Sequence, residues 1–134
     1  PDSGGPGRHR GGLGQRVRLR KLADDGLATL VAVYPEGVNN IPEGLFGGHA
    51  GGAARGAILD ADGALVHDCG TGELVSVDRI DRIVEVVLAG GAGYGDPRER
   101  NRKDIEDDIA NDRVTAEGAR RDYGTEPASL RAAE

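Results

Sequence analysis

Histidine and arginine recur beside dense glycine in three stretches of this chain: PDSGGPGRHRGGLGQ at residues 1–15, GLFGGHAGGAARG at 44–56 and GGAGYGDPRER at 90–100. Glycine bares the backbone N–H groups and guanidinium forks add further donors. Such loops suit an oxyanion, a phosphorylated group or close contact with a neighbouring chain. The flanking side chains are Arg8, His9 and Arg10, then His49 and Arg55, then Arg98 and Arg100. Ser3, Gly4 and Gly5, Gly47 and Gly48, and Gly91, Gly93, Tyr94 and Asp96 complete the candidate anion-binding or interface loops. A flexible tail is the alternative for the first stretch. Its direct run into a strand-like segment favours an ordered loop. Arg8 and Arg10 are then expected to meet carboxylates of a partner or an anionic intermediate, with His9 filling a pocket.

Other chemistries find less support. No glycine cluster is followed by Lys-Ser or Lys-Thr, which excludes a P-loop. GGAGYG lies between an apolar strand and a helix start, the setting of a phosphate-binding turn, but Asp96 would occupy the anion's place. A tight strand-to-helix turn is the simpler reading. His67-Asp68-Cys69 supplies ligand types, yet adjacent residues on a strand point to opposite faces, so no metal is expected in this chain. Cys69 has no base at a recognisable spacing and reads as a buried or inert thiol. Spacing singles out no catalytic residue.

Six short strands are expected to position these loops. Gln15–Leu22 alternates, with Val17 and Leu19 on one face and Arg16, Arg18 and Arg20 on the other. Asp24-Asp25-Gly26 is turn chemistry, so Leu27–Tyr34 is expected to return as the second strand of a β-hairpin. Ala57–Asp60, Ala64–Asp68, Glu73–Asp78 and the apolar Ile83–Ala89 follow. Asp96-Pro97 then reads as cap and first residue of a helix carrying Ile105 and Ile109. Thr115 caps a second helix whose Ala116, Ala119 and Tyr123 share a face and which Gly124 stops. Residues 125–134 read as a loose tail. The expected class is α+β: glycine-rich loops and short, mainly antiparallel strands, then two small C-terminal helices.

Composition adds bounds. The 134 residues hold 37% apolar side chains, 23 glycines and no Trp or Met, against about 45–50% apolar in ordinary domains. Such a chain is expected to lean on a partner for part of its burial. The net charge of −6 argues against a general nucleic-acid binder. Residues 1–22 nonetheless carry six basic and one acidic side chain, a basic head on an acidic body. A single cysteine and the lack of an apolar run of membrane length or a signal-peptide core point to the cytoplasm. A methionine-free chain that opens on Pro1 fits an initiator-processed start or a piece of a longer polypeptide.

Taken in order, the three glycine stretches and DIEDDIANDRVTAEGARRDYG (104–124) resemble the signature of the hydantoinase B/oxoprolinase family over nearly the whole chain. The chain departs from the pattern at His9, where the family often has an aromatic residue or lysine. GGAGYG likewise replaces a commoner four-glycine run. The resemblance implies a single module over 1–134, with a β/loop part (1–95), a helical part (96–124) and the tail. In the family this module is the C-terminal portion of a larger polypeptide, so the chain looks like a split-off small subunit. Its implied partners are large hydantoinase A-type and B-type subunits, and neither nucleic acid nor membrane. ATP and Mg would be bound mainly by those partners, and the metal ligands of the carboxylase branch match no motif here. The short chain favours the branch built from more subunits, in which an aromatic ketone such as acetophenone is carboxylated with bicarbonate to benzoylacetate by a C–C bond-forming ligase. Cyclic-amide hydrolysis of the hydantoinase/oxoprolinase kind and a purely structural assembly role are the alternatives.

Overall fold

β-branched residues and valine-rich alternation build six strands in the computed structural model, which describes residues 1–125. The strands are β1 (Arg16–Leu19), β2 (Thr29–Val33), β3 (Arg55–Leu59), β4 (Leu65–Asp68), β5 (Glu73–Val77) and β6 (Ile83–Val87). A 3-10 turn (Pro97–Glu99) and helices α1 (Arg102–Ala110) and α2 (Ala116–Tyr123) follow. The α+β class is as expected. Of the expected tail, residues 126–134 lie outside the described residues. No helix among the described residues is long and apolar enough to cross a membrane.

Contacts divide the chain into two compact units. One gathers Pro1–Gly14, Ile41–Gly52 and everything from Gly90 onward; the other holds Gln15–Asn40 and Ala53–Ala89. Apart from Gln15 and residues 53–56, the glycine stretches thus group with the helices.

The second unit is built on side chains. β1, β6, β3 and β4 form one antiparallel sheet in that order, and β2 pairs with β5 in another. Val33, Ile58, Cys69, Val75, Val77 and Val84 form their shared core. The expected β1–β2 hairpin is not formed. Its turn exists, with Gly26 at φ 69° and the Leu27 N–H donating to Asp25 Oδ1 at 3.1 Å. Burial decides the pairing instead: β2 against β5 sets Val31 opposite Val75 and brings Val33 and Val77 to the same core. β1 beside β6 sets Arg18 opposite Glu85.

In the glycine unit the helical part starts later than expected. Asp96 does cap a turn, its Oδ1 accepting from the Arg98 N–H at 2.9 Å, but that turn is a single 3-10 turn. Arg100 is extended (φ −65°, ψ 135°), and Asn101 caps α1 by accepting from the Lys103 N–H at 2.9 Å. Thr115 and Gly124 end α2 as expected, with Gly124 at φ 63°. Ile105, Val114, Ala119 and Tyr123 make the small core of this unit.

Candidate functional site

The three glycine stretches, separated by some thirty residues each, lie side by side as extended chains, each bonded to both others. The Gly5 N–H donates to Gly91 O (2.8 Å) and Gly91 N–H to Gly12 O (2.9 Å). The His49 N–H donates to Pro6 O (2.8 Å), and Gly93 N–H to His49 O (2.8 Å). Gly52 N–H donates to Ser3 O (2.7 Å), while Ser3 Oγ accepts from Gly14 N–H (3.0 Å). Residues 3–14 therefore form an ordered layer with the other two segments.

Close approach explains the glycines. A Cβ on Gly90 would lie 1.6 Å from Ser3 O, on Gly11 1.9 Å from Gly91 O, and on Gly93 2.0 Å from Pro6 O. Gly4, Gly5 and Gly48 face backbone atoms at 2.2–2.3 Å in the same way. Each contact is to a carbonyl oxygen that cannot rotate away. The N–H groups of Gly5, Gly48, His49, Gly91, Gly93 and Tyr94 all donate to backbone carbonyls of the layer. Those N–H groups are therefore not free to meet an outside ligand.

His9 and Tyr94 exchange both backbone hydrogen bonds (2.9 and 3.0 Å), which sets their rings 6.0 Å apart. A turn closed by Gly48 N–H to Leu45 O holds Phe46 at φ 52° and Gly47 at φ 90°. It lays the Phe46 ring 5.1 Å from that of Tyr94. Phe46 is 79% exposed, so His9, Tyr94 and Phe46 present a row of rings to the outside. His9 is therefore not held in a pocket of this chain. A cleft of about 430 Å³ opens beside it, lined by Gly47, His49, Asp96, Arg98, Arg120 and Arg121 among others. Arg121 is held by Asp122 at 2.7 Å. The structure thus brings together residues from the second and third stretches and adds α2, which the sequence did not mark.

Arg10 does not reach outward, as had been expected for a contact with a partner. Its Nε and one terminal nitrogen bind Asp108 at 2.9 and 3.2 Å, and Arg100 binds the same carboxylate at 2.8 Å. All three side chains are nearly buried. Burial pushes the Asp108 carboxyl up, but Arg10 and Arg100 outweigh it and hold its pKa below the usual carboxylate value. Arg100 also donates to Arg8 O at 3.0 Å, which fastens the first stretch to the 3-10 turn. Burial raises the Tyr123 pKa, and its hydroxyl and Arg100 Nε are buried without partners. Arg8 is the residue left at the surface, 3.9 Å from Glu99. Asp2, which was not among the candidate site residues, ties the N-terminus to α2 by accepting from the Thr115 N–H (2.8 Å) and hydroxyl (2.7 Å).

Arg55 lies in the other unit, where it binds Glu85 at 2.6 Å beside Arg18 at 2.7 Å. Burial raises the Glu85 pKa, and the hydrogen bonds from Arg18 and Arg55 more than reverse that. Cys69 is buried, and burial, with Glu73 and Asp68 near it, pushes its thiol up. That accords with a thiol of low reactivity.

The chain matches known proteins over most of its length, both units included. The hydantoinase B/oxoprolinase family profile matches residues 1–97, a span that contains the first two stretches and the third as far as Pro97. The chain belongs to this family. It is 35% identical over 127 residues to the uncharacterised protein MJ0963 of Methanocaldococcus jannaschii, covering 91% of this chain and 20% of that protein. It is also 35% identical over 132 residues to caprolactamase subunit beta of Pseudomonas jessenii, covering 92% and 21%. The crystal structure of the ATP-dependent caprolactamase of Pseudomonas jessenii superposes with a TM-score of 0.71 at 29% identity, again over 92% and 21%. Nucleotide-free acetone carboxylase superposes at 0.62 and 20% identity, over 92% of this chain and 20% of that one, which shows a shared fold. The hydantoinase B-like chain spans about a fifth of the length of these relatives.

Proposed function

We propose that this chain is the glycine-layer component of a multi-subunit ATP-dependent enzyme that opens a cyclic amide. The observation that carries the reading is the 35% identity to caprolactamase subunit beta across 92% of the chain. Exposed Leu22, Leu27, Leu30, Leu45 and Phe46 suit a chain that larger hydantoinase A-type and B-type subunits cover. With the N–H groups of Gly5, Gly48, Gly91 and Gly93 bonded inside the layer, ATP and Mg are assigned to those partners. The role of this chain is to hold the ring row His9–Tyr94–Phe46 and the cleft lined by His49, Asp96, Arg98 and Arg120 toward the shared site. There guanidinium groups favour a carboxylate or phosphorylated intermediate. The enzyme would work in the cytoplasm.

Carboxylation of an aromatic ketone such as acetophenone is the second reading. It is favoured by the fold shared with acetone carboxylase.

Co-purification with the large subunits, followed by ATP hydrolysis with caprolactam, oxoproline, hydantoin, acetone and acetophenone, separates the two. Stimulation by a lactam or other cyclic amide without bicarbonate is the expected result. Stimulation only by a ketone together with bicarbonate would transfer the assignment to carboxylation. Activity indifferent to this chain would leave it a purely structural part.

A further inference from the structure

In the sheet unit three ligand types converge. His67 near the end of β4, Cys69 just beyond it and Glu73 at the start of β5 bring Nε2, Sγ and a carboxylate oxygen within 4.8 Å of one another. Adjacent residues of a strand do point apart, but His67 and Cys69 are two apart and share a face. The third ligand comes from the next strand. The reversal that delivers it is fixed by the Gly70 N–H donating to Asp68 Oδ1 (2.9 Å), by Gly72 N–H donating to Cys69 O (3.1 Å), and by Gly70 at φ 53°. Cys69 is held from the other side by its own N–H on Gly56 O at 3.0 Å.

We propose that His67, Cys69 and Glu73 form a three-ligand site for a divalent transition metal, zinc first among them, with the fourth position open to solvent. Imidazole, thiolate and carboxylate are the donors zinc takes, at about 2.0–2.3 Å each. A tetrahedral centre then needs ligand atoms about 3.3–3.7 Å apart. His67 Nε2 and Glu73 Oε2 stand at 2.6 Å, sharing a proton that a metal would replace. Their side chains are about half exposed (50% and 44%) and can swing the required ångström while Cys69 stays fixed. A cleft of about 300 Å³ lined by His67, Glu73, Val75, Val77 and Arg82, among others, supplies the way in and room for a water as fourth ligand. On binding, the Cys69 thiol and any proton on His67 are released to solvent, so metal uptake liberates protons.

The test uses the full chain in the assembly in which it purifies, stripped with a chelator and titrated with Co²⁺. One equivalent per chain should produce a thiolate-to-cobalt charge-transfer band that Zn²⁺ displaces. Cys69→Ser should lose the band. Because Cys69 belongs to the core, His67→Ala and Glu73→Gln, at exposed positions, provide the readout if that variant misfolds; each should lose stoichiometric binding. A band that survives Cys69→Ser, or Co²⁺ binding unchanged by His67→Ala and Glu73→Gln, would overturn the proposal, as would no band at several-fold excess of metal.

Discussion

A Cβ added at Gly90 would stand 1.6 Å from a carbonyl oxygen of Ser3, whereas in the sheet unit the corresponding filling is Val33, Ile58, Val75, Val77 and Val84. The glycine unit packs backbone on backbone and satisfies N–H groups laterally between segments far apart in sequence. The sheet unit packs side chain on side chain and satisfies its backbone in ladders. The difference extends to buried charge. Asp108 is enclosed by Arg10 and Arg100, whose side chains are each 12% exposed, while Glu85 is met by arginines that are 50–64% exposed. One unit depends on contacts that no other residue type fits. The other can relax around a change.

The sharpest way to break the comparison is through those two carboxylates. Asp108→Ala strands two nearly buried guanidinium groups and should cost about 3–5 kcal/mol. Glu85→Gln leaves arginines that water already reaches, and should cost on the order of 1 kcal/mol. Denaturant unfolding of the assembled protein measures both. Equal losses would mean that the two ion clusters do not differ in the way their burial indicates.

Next in size come the layer glycines. Gly93→Ala drives a methyl into Pro6 O, 2.0 Å away, and overpacking of that kind costs about 1–3 kcal/mol or more. The first stretch should detach from the layer, which amide exchange over residues 3–14 would record as lost protection. Retained protection with normal stability would show that the layer yields easily.

pH sharpens the contrast further. Asp108 and Glu85 both have pKa values lowered on folding. A carboxyl so shifted stabilises the fold at pH above its unfolded value, about 4, and that contribution disappears as pH falls through the lower folded value. Wild type should therefore lose stability on acidification below about pH 4. Asp108→Ala should lose less over that interval because one of the two groups is gone. A mutant with an unchanged acid limb would remove Asp108 from the account.

Local chemistry was legible in the sequence and long-range pairing was not. Thr115 and Gly124 announced the ends of α2 because caps act within one turn. Ile83–Val87 announced itself by apolar β-branched residues. The Asp24-Asp25-Gly26 turn was visible too, but a turn fixes only where the chain bends, and core burial chose β5 and β6 as partners. Arg10 and Asp108 lie 98 positions apart, and no spacing rule connects them. The glycines were visible as a type; their purpose needed the neighbouring chains. Glu73 escaped notice as a companion of His67 and Cys69 because it arrives by a strand reversal.

A smaller effect tests the helical end of the glycine unit. Thr115→Ala removes the Oγ1 that accepts from the Gly118 N–H at 2.9 Å, and also the hydroxyl that Asp2 binds. The lost cap should cost about 1 kcal/mol. A loss several times larger would mean that the Asp2 anchor, and not the cap, holds α2.

The smallest expected effect comes from a glycine beside one of the costliest. Gly11 and Gly12 are adjacent in the first stretch. A Cβ on Gly11 meets Gly91 O at 1.9 Å, whereas a Cβ on Gly12 meets nothing within 4 Å. Neither has the positive φ that side chains avoid, so conformation alone does not distinguish them. Gly12 also accepts a hydrogen bond from Gly91 N–H through its carbonyl, which alanine retains. Gly12→Ala should therefore stay within about 0.5 kcal/mol of wild type, with any gain coming from reduced freedom of the unfolded chain. Gly11→Ala should fall in the range given for Gly93→Ala. If the two substitutions cost the same in denaturant unfolding, the first stretch needs glycine for some reason other than the approach of one backbone to another, and the contrast between the two units loses its physical basis.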